Sequence, residues 1–226
     1  MNPKSLLRCL LVAAGTVLIG GGLSCGQSAN GAGKEIILPA PATTGGMPLV
    51  EAIAKRRSVR AFTDRKLNLQ QISQLAWAAQ GITEPERGLR AAPSAGATYP
   101  LELYLFTSDG LFKYVPQGHK LLQLRDQDQQ AELAMAALGQ ASVNNAALDF
   151  VITGVVARTS AKYRERAERY VYMEAGHVAQ NIHLQAVALG LGSVPVGAFK
   201  DAEITKLLNL PQGETPIYII PVGYPQ

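Results

Sequence analysis

Apolar and polar residues alternate along this chain with two periods, one near 3.6 residues and one of 2, and the period changes from segment to segment. "PLVEAIAKRR" places Leu49, Ala52 and Ile53 at helical spacing. It predicts a helix ending in a run of cations, which suit a helix C-terminus. "LNLQQISQLAWAAQGI" carries a stripe of Ile72, Leu75, Ala76 and Ala79, with Asn68 as N-cap and Gly81 as the stop. "LELYLF", "TSDG" and "LFKYV" read as a strand, a hairpin turn and the return strand. "QDQQAELAMAALGQ" predicts a helix, and the apolar run "LDFVITGVVA" a buried strand.

The longest helical pattern runs from Ser160 to Gly192. Val171, Ala175, Val178, Ile182 and Leu189 form one apolar face, widened by Ala179, Ala186 and Val187. Such a helix is expected to be buried nearly all round, in a core or across a dimer interface. "DAEITKLLNL" predicts a short helix and "TPIYIIPVGYP" a closing strand. Helices mix with hairpin strands instead of repeating β-α-β, so the fold class is α+β.

The first 25 residues stand apart. Lys4 and Arg8 precede the short apolar run "LLVAAGTVLIGGG", the pattern of a secretory signal peptide. Cys25 stands where the cysteine of a lipoprotein would, although Gly22 holds the place where such sites usually carry Leu. Lipidation of Cys25, giving a membrane tether, and ordinary cleavage near "QSANGAG" are the two outcomes. Residues 26–46, rich in Gly, Ala, Ser and Pro, read as a flexible linker, and residues 47–226 as the folded domain.

Composition narrows the chemistry. The net charge is +4, yet six of the 21 Lys and Arg lie between Lys55 and Lys66. The basicity is local, which argues against a nucleic-acid surface. Charged residues make up only 17% of the chain, leaving room for a buried interface or a bound cofactor. Both cysteines, Cys9 and Cys25, precede the folded body, so thiolate catalysis, disulfides and cysteine-ligated metals are excluded there. His177 and His183 lie about 240° apart around a helix, so no histidine metal site is expected.

Three segments carry candidate chemistry. "KRRSVRAF" surrounds Ser58 with Arg56, Arg57 and Arg60, an arrangement suited to charge-assisted bonds to a phosphate; taken alone it also fits a solvated helix end. "PSAGATYP" has small residues that let backbone approach a flat ligand, and also fits a plain loop before a strand. "LGLGSVPVGAF" is neither a P-loop nor a dinucleotide fingerprint. It combines an extended turn with exposed N–H groups, and also fits a helix cap and linker.

In this order, "RRSVRAF", "PSAGATYPLELYLF", "EAGHVAQNIHLQAVALGLGSVPVGAF" and "IIPVGYP" resemble the FMN-dependent nitroreductase family, most of all its azoline-oxidising dehydrogenase branch. The resemblance covers about residues 48–225. It implies a mostly antiparallel central sheet flanked by helices, in a homodimer with FMN at the interface. It assigns Arg56, Arg57, Ser58 and Arg60 to the FMN phosphate, ribityl chain and ring edge. Pro93, Ser94, Ala95, Gly96 and Ala97 would be the loop contributed by the second subunit. Pro195, Val196, Gly197 and Ala198 would face the flavin ring, with a backbone N–H near Gly197 beside the ring. Lys162 and Tyr163 are similar to a Lys-Tyr pair implicated in proton abstraction in that branch, while also fitting an exposed Lys and a packing Tyr.

The chain departs from the family at Ala97 and Tyr99, where many members have an amide side chain, and it ends at Gln226 without a basic tail. The implied function is an exported FMN-dependent oxidoreductase acting on a small organic substrate. NAD(P)H is the usual donor of the family, and it is scarce outside the cytoplasm. The alternative is a flavin-binding relay or storage module without NAD(P)H turnover.

Overall fold

In the computed structural model, residues 33–226 are described. The signal peptide, Cys25 and the start of the linker lie outside the described residues.

The chain order is β1 (Glu35–Ile37), α1 (Leu49–Lys55), α2 (Leu69–Gln80), β2 (Ile82–Glu84), β3 (Leu89–Arg90), β4 (Leu101–Thr107), β5 (Gly110–Val115), β6 (Lys120–Arg125), α3 (Gln130–Ala136), α4 (Ala141–Asn144), β7 (Leu148–Val155), α5 (Val156–Tyr163), α6 (Ala167–Ala188), β8 (Gly192–Ser193), α7 (Asp201–Leu208) and β9 (Glu214–Gly223). Seven strands form one sheet in the order β1-β6-β5-β4-β7-β9-β8, and each neighbouring pair is antiparallel. β2 and β3 form a separate ribbon.

The sheet is covered on both faces, which is why its central strands read as continuous apolar runs. Leu103, Leu105, Phe150, Ile152, Ile220 and Val222 pack with Leu75 and Ala79 of α2 and with Val171, Val178 and Ile182 of α6. The alternate residues Tyr104, Phe106, Val151 and Ile219 pack with Leu133 of α3, Val143 of α4, and Ile204 and Leu208 of α7. Successive residues of a strand point to opposite faces, so two helical layers demand two apolar sets.

The local signals that held are those with a backbone mechanism. Asn68 caps α2 in a reciprocal box: its side chain accepts from the Gln71 N–H, and Gln71 Oε1 accepts from the Asn68 N–H. The β4–β5 hairpin pairs Thr107 with Gly110, as the "TSDG" turn predicts.

Two expectations need correction. Residues 33–46 are not a free linker. β1 pairs with β6, Leu38 is buried in the core, and Ala42 exchanges two hydrogen bonds with the Gln74 side chain. "EIIL" offers apolar side chains and strand backbone, and the otherwise open edge of β6 takes them.

The long helical pattern is also two helices. Arg164 (φ 50°, ψ −126°) breaks it, a single 3-10 turn follows, and α6 starts at Ala167. Nothing in "RERAER" marks the break, because Arg, Glu and Ala all favour helix. Within one chain α6 buries one face: Tyr172 and Met173 are more than half exposed, and Gly176, His177 and Gln180 share that open side, the side that a dimer interface would have to cover.

Candidate functional site

The basic segment leaves helical geometry at Arg56, where φ −54° and ψ 125° end α1. From there it runs extended. Ser58 bridges Ser193 in parallel, the Val59 N–H donates to the Ser193 carbonyl (3.0 Å), and Phe62 bridges Pro225. "RRSVRAF" is therefore laid along β8, beside "SVPVGAF". Two segments 135 positions apart in sequence, from Ser58 to Ser193, become neighbours.

Gly192 makes this approach fit. A Cβ there would lie 2.6 Å from the Val59 Cβ. Gly192→Ala should therefore push the basic segment off β8, at a cost of about 1–3 kcal/mol, and lower ligand retention at the same time. Thermal unfolding read together with ligand content checks this; a variant as stable as the parent would remove the packing argument.

His183 of α6 fixes the first arginine. Its Nδ1 is 2.6 Å from the Ser193 Oγ and its Nε2 is 3.2 Å from the Arg56 Nη1. Arg56 can only donate, so Nε2 accepts and Nδ1–H donates to Ser193. Burial, with the neighbouring Arg56 charge adding to it, pushes the imidazole down to about 4, so it is neutral near pH 7. Arg57 is turned onto its own backbone, donating to the Ala54 and Arg56 carbonyls. Ser58 and Arg60 are exposed.

The turn after β8 is held at two points. Val196 and Ile219 exchange two backbone hydrogen bonds (2.8 and 3.0 Å), and Gln140 donates to the Ala198 carbonyl (2.8 Å). Pro195 is half-buried and Val196 buried, while Gly197 and Ala198 are exposed. An exposed backbone beside a row of cations can cradle a flat anionic ligand. The sequence-assigned residues from Arg56 to Arg60 and from Pro195 to Ala198 thus come together.

Pro93, Ser94, Ala95, Gly96 and Ala97 do not join them within one chain. This loop sits against a different part of α6, over Glu174. Glu174 and His183 are nine residues apart on one helix, roughly 13 Å along its axis.

The loop is strained and well supported. Gly96, Ala97 and Tyr99 all have positive φ (61°, 55° and 44°). For Ala97 and Tyr99 that conformation is uncommon and must be held from outside. The Tyr99 N–H donates to the Ser94 Oγ (2.9 Å), its hydroxyl accepts from the Arg90 N–H (3.0 Å), its ring lies under the Arg90 guanidinium, and its carbonyl accepts from Arg158 (3.1 Å).

Lys162 and Tyr163 reach the apex of this loop. A Cβ on Gly96 would lie 2.7 Å from the Lys162 Nζ and 2.8 Å from the Tyr163 hydroxyl. Tyr163 is set by an edge-on contact with the Tyr170 ring (5.0 Å).

Beneath the loop lies a residue that sequence reasoning missed. Glu174 is 2% exposed, and its Oε1 has no hydrogen-bond partner among the described residues. Burial pushes its carboxyl up to about 7, partly offset by Ser94, Gln80 and the Arg90 charge nearby. A signal was present: Glu174 falls within the apolar face of Val171, Ala175 and Val178, where a charge is out of place. His183 sits beside Ile182 in the same stripe. Among the described residues no group of His, Asp, Glu or Cys could hold a metal.

The chain is similar to known proteins in sequence and fold. The nitroreductase family model matches residues 53–224. A candidate nitroreductase of Methanocaldococcus jannaschii is 44% identical over 181 residues, covering 77% of this chain and 90% of that one. The microcin B17-processing protein McbC of Escherichia coli is 26% identical over 67% of this chain and 60% of its own length. The FMN reductase (NADPH) of Bacillus subtilis is 24% identical over 78% of this chain and 65% of its own. The crystal structure of a candidate nitroreductase from Ralstonia eutropha superposes with a TM-score of 0.79 at 31% identity, covering 87% of this chain and 91% of that one. With a family model spanning most of the folded body and the same sheet and helices in a solved relative, the chain belongs to the nitroreductase family and is an oxidoreductase of that family.

Proposed function

We propose that the chain is an exported FMN-dependent oxidoreductase that works as a homodimer, with NAD(P)H or a reduced organic substrate as donor. The observation carrying this reading is the Ser58–Ser193 bridge, which sets Ser58 and its flanking residues Arg56 and Arg60 beside an exposed turn. These residues fit FMN. Arg56, Arg60 and Ser58 would bind its phosphate and ribityl oxygens, with Arg56 held in place by neutral His183. Gly197 and Ala198 would offer backbone N–H groups to the ring edge, and a nearby guanidinium would favour negative charge there. FMN, when bound, supplies hydride and electron transfer, so the protein needs no nucleophile of its own.

The dimer completes the site. Leu49, Val50 and Ile53 on α1 and Tyr172 and Met173 on α6 are all more than half exposed. An apolar set of this kind favours burial against a second copy. Two-fold pairing there would bring the Pro93–Ala97 loop of one chain, with Lys162 and Tyr163, towards the cations of the other. Lys162 could then hold or move a substrate proton. Export follows from residues 1–25, with Cys25 as the lipid attachment point; the mass of the mature N-terminus decides between lipid and plain cleavage.

The test is the visible spectrum of the purified full chain. A flavin band with about one FMN released per chain is expected, bleached on adding NADPH if NADPH is the donor. A colourless protein that cannot take up FMN would overturn the reading.

A further inference from the structure

A cavity of about 310 Å³ opens behind the strained loop. Its polar walls are Gln80, Arg90, Glu102, Lys113, Gln117 and Arg158, three cations against one carboxylate. Glu102 is already shared: Lys113 lies 3.1 Å from its Oε2, and Arg158 bonds its Oε1. Arg90 is the charge left over. It is half-buried, its Nη1 donates only to the neutral Gln80 Oε1 (3.0 Å), and it stacks on the Tyr99 ring. No carboxylate lies within ion-pair distance of it among the described residues. Burial pulls its pKa below the usual arginine value, and the nearby charges of Glu102 and Glu174 offset this only in part. A guanidinium partly stripped of water and facing a cavity gains most from a bound oxyanion, which it can take with two parallel N–H groups.

We propose that this cavity is a carboxylate-binding subsite, separate from the Arg56–Arg60 cluster, that anchors a small organic acid through Arg90 with Lys113 and Arg158 in support. The placement gives it a role. Arg158 and Lys162 are four residues apart on α5, one turn along the same face. An acid held at Arg90 and Arg158 would therefore lie about one helical turn from Lys162, which does not itself line the cavity. This role as a substrate anchor rests on the oxidoreductase reading above, whereas binding of the acid does not.

The experiment is titration calorimetry of the full chain with succinate, and separately with inorganic phosphate, in parent, Arg90→Gln, Lys113→Met and Arg56→Ala. Flavin content is measured on each preparation. Arg90 also supports Tyr99, so Lys113→Met serves as the variant that leaves the loop alone. Saturable succinate binding that weakens roughly tenfold or more in both cavity variants, a loss of about 1.4 kcal/mol each, is the expected result. Succinate binding unchanged in both cavity variants, succinate binding lost only in Arg56→Ala, or phosphate binding without succinate would each overturn the assignment. A protein without flavin that still binds succinate through Arg90 would sink the flavin reading and keep the subsite.

Discussion

Arg56→Ala combined with Arg60→Ala should strip the protein of flavin. A hydrogen bond to a charged group contributes about 1.5–3 kcal/mol, so losing two phosphate-facing guanidinium groups should cost about 3–6 kcal/mol, or roughly 10²- to 10⁴-fold in FMN affinity. Arg57→Ala is the matched comparison. That guanidinium is spent on the Ala54 and Arg56 carbonyls, so its removal should cost far less. Flavin content and fluorescence titration with FMN read both variants. Retention unchanged in the double variant would return "KRRSVRAF" to a solvated segment beside β8.

Glu174→Gln should change how stability depends on pH. The native carboxyl sits near 7 against an ordinary value of 4.5, so the folded chain holds a proton that the unfolded chain has released. Its contribution to stability is therefore best below about pH 4.5 and is lost as pH rises to 7, by about 3 kcal/mol in all. His183 acts with the opposite sign. Its native value is about 4 against 6.5, so the unfolded chain binds the extra proton, and stability rises with pH from about 4 to 6.5 by a similar amount. Across pH 4.5–6.5 the two slopes nearly cancel in the parent.

Removing the carboxyl unmasks the histidine. Relative to the parent, Glu174→Gln should gain stability steadily from pH 4.5 to 7, reaching about 3 kcal/mol less the small cost of the new amide. Urea unfolding at pH 4.5, 6 and 8 measures the difference. Ser94, Gln80 and Arg90 face this carboxyl and are unchanged in both proteins. An offset independent of pH would mean that Glu174 is ionised in the native state across the range.

Much of the fold could be read from periodicity because each signal had a local cause. The Asn68 box, the "TSDG" hairpin and the apolar run of β7 all involve residues close in sequence or buried on two faces. The strand β1 and the break at Arg164 could not be read that way. The first exists because an edge elsewhere in the sheet was available. The second exists because α5 must follow β7 directly and α6 must lie across the sheet, a constraint no residue in "RERAER" carries. The site was half legible: Arg56 and Arg60 were visible as charge around Ser58, but their meaning depended on β8 lying beside them.

The sequence by itself determined the local elements, the family resemblance and the candidate flavin-binding segments, since these depend on residue type and spacing. Only the tertiary structure decided that the basic segment lies along β8, that the Pro93–Ala97 loop is kept away from it within one chain, and that His183, Glu174 and Arg90 are deprived of water. Desolvation and long-range adjacency belong to the packed chain. A residue's sequence neighbours do not state what will cover it, and coverage sets the charge these three groups carry or the cost of carrying it.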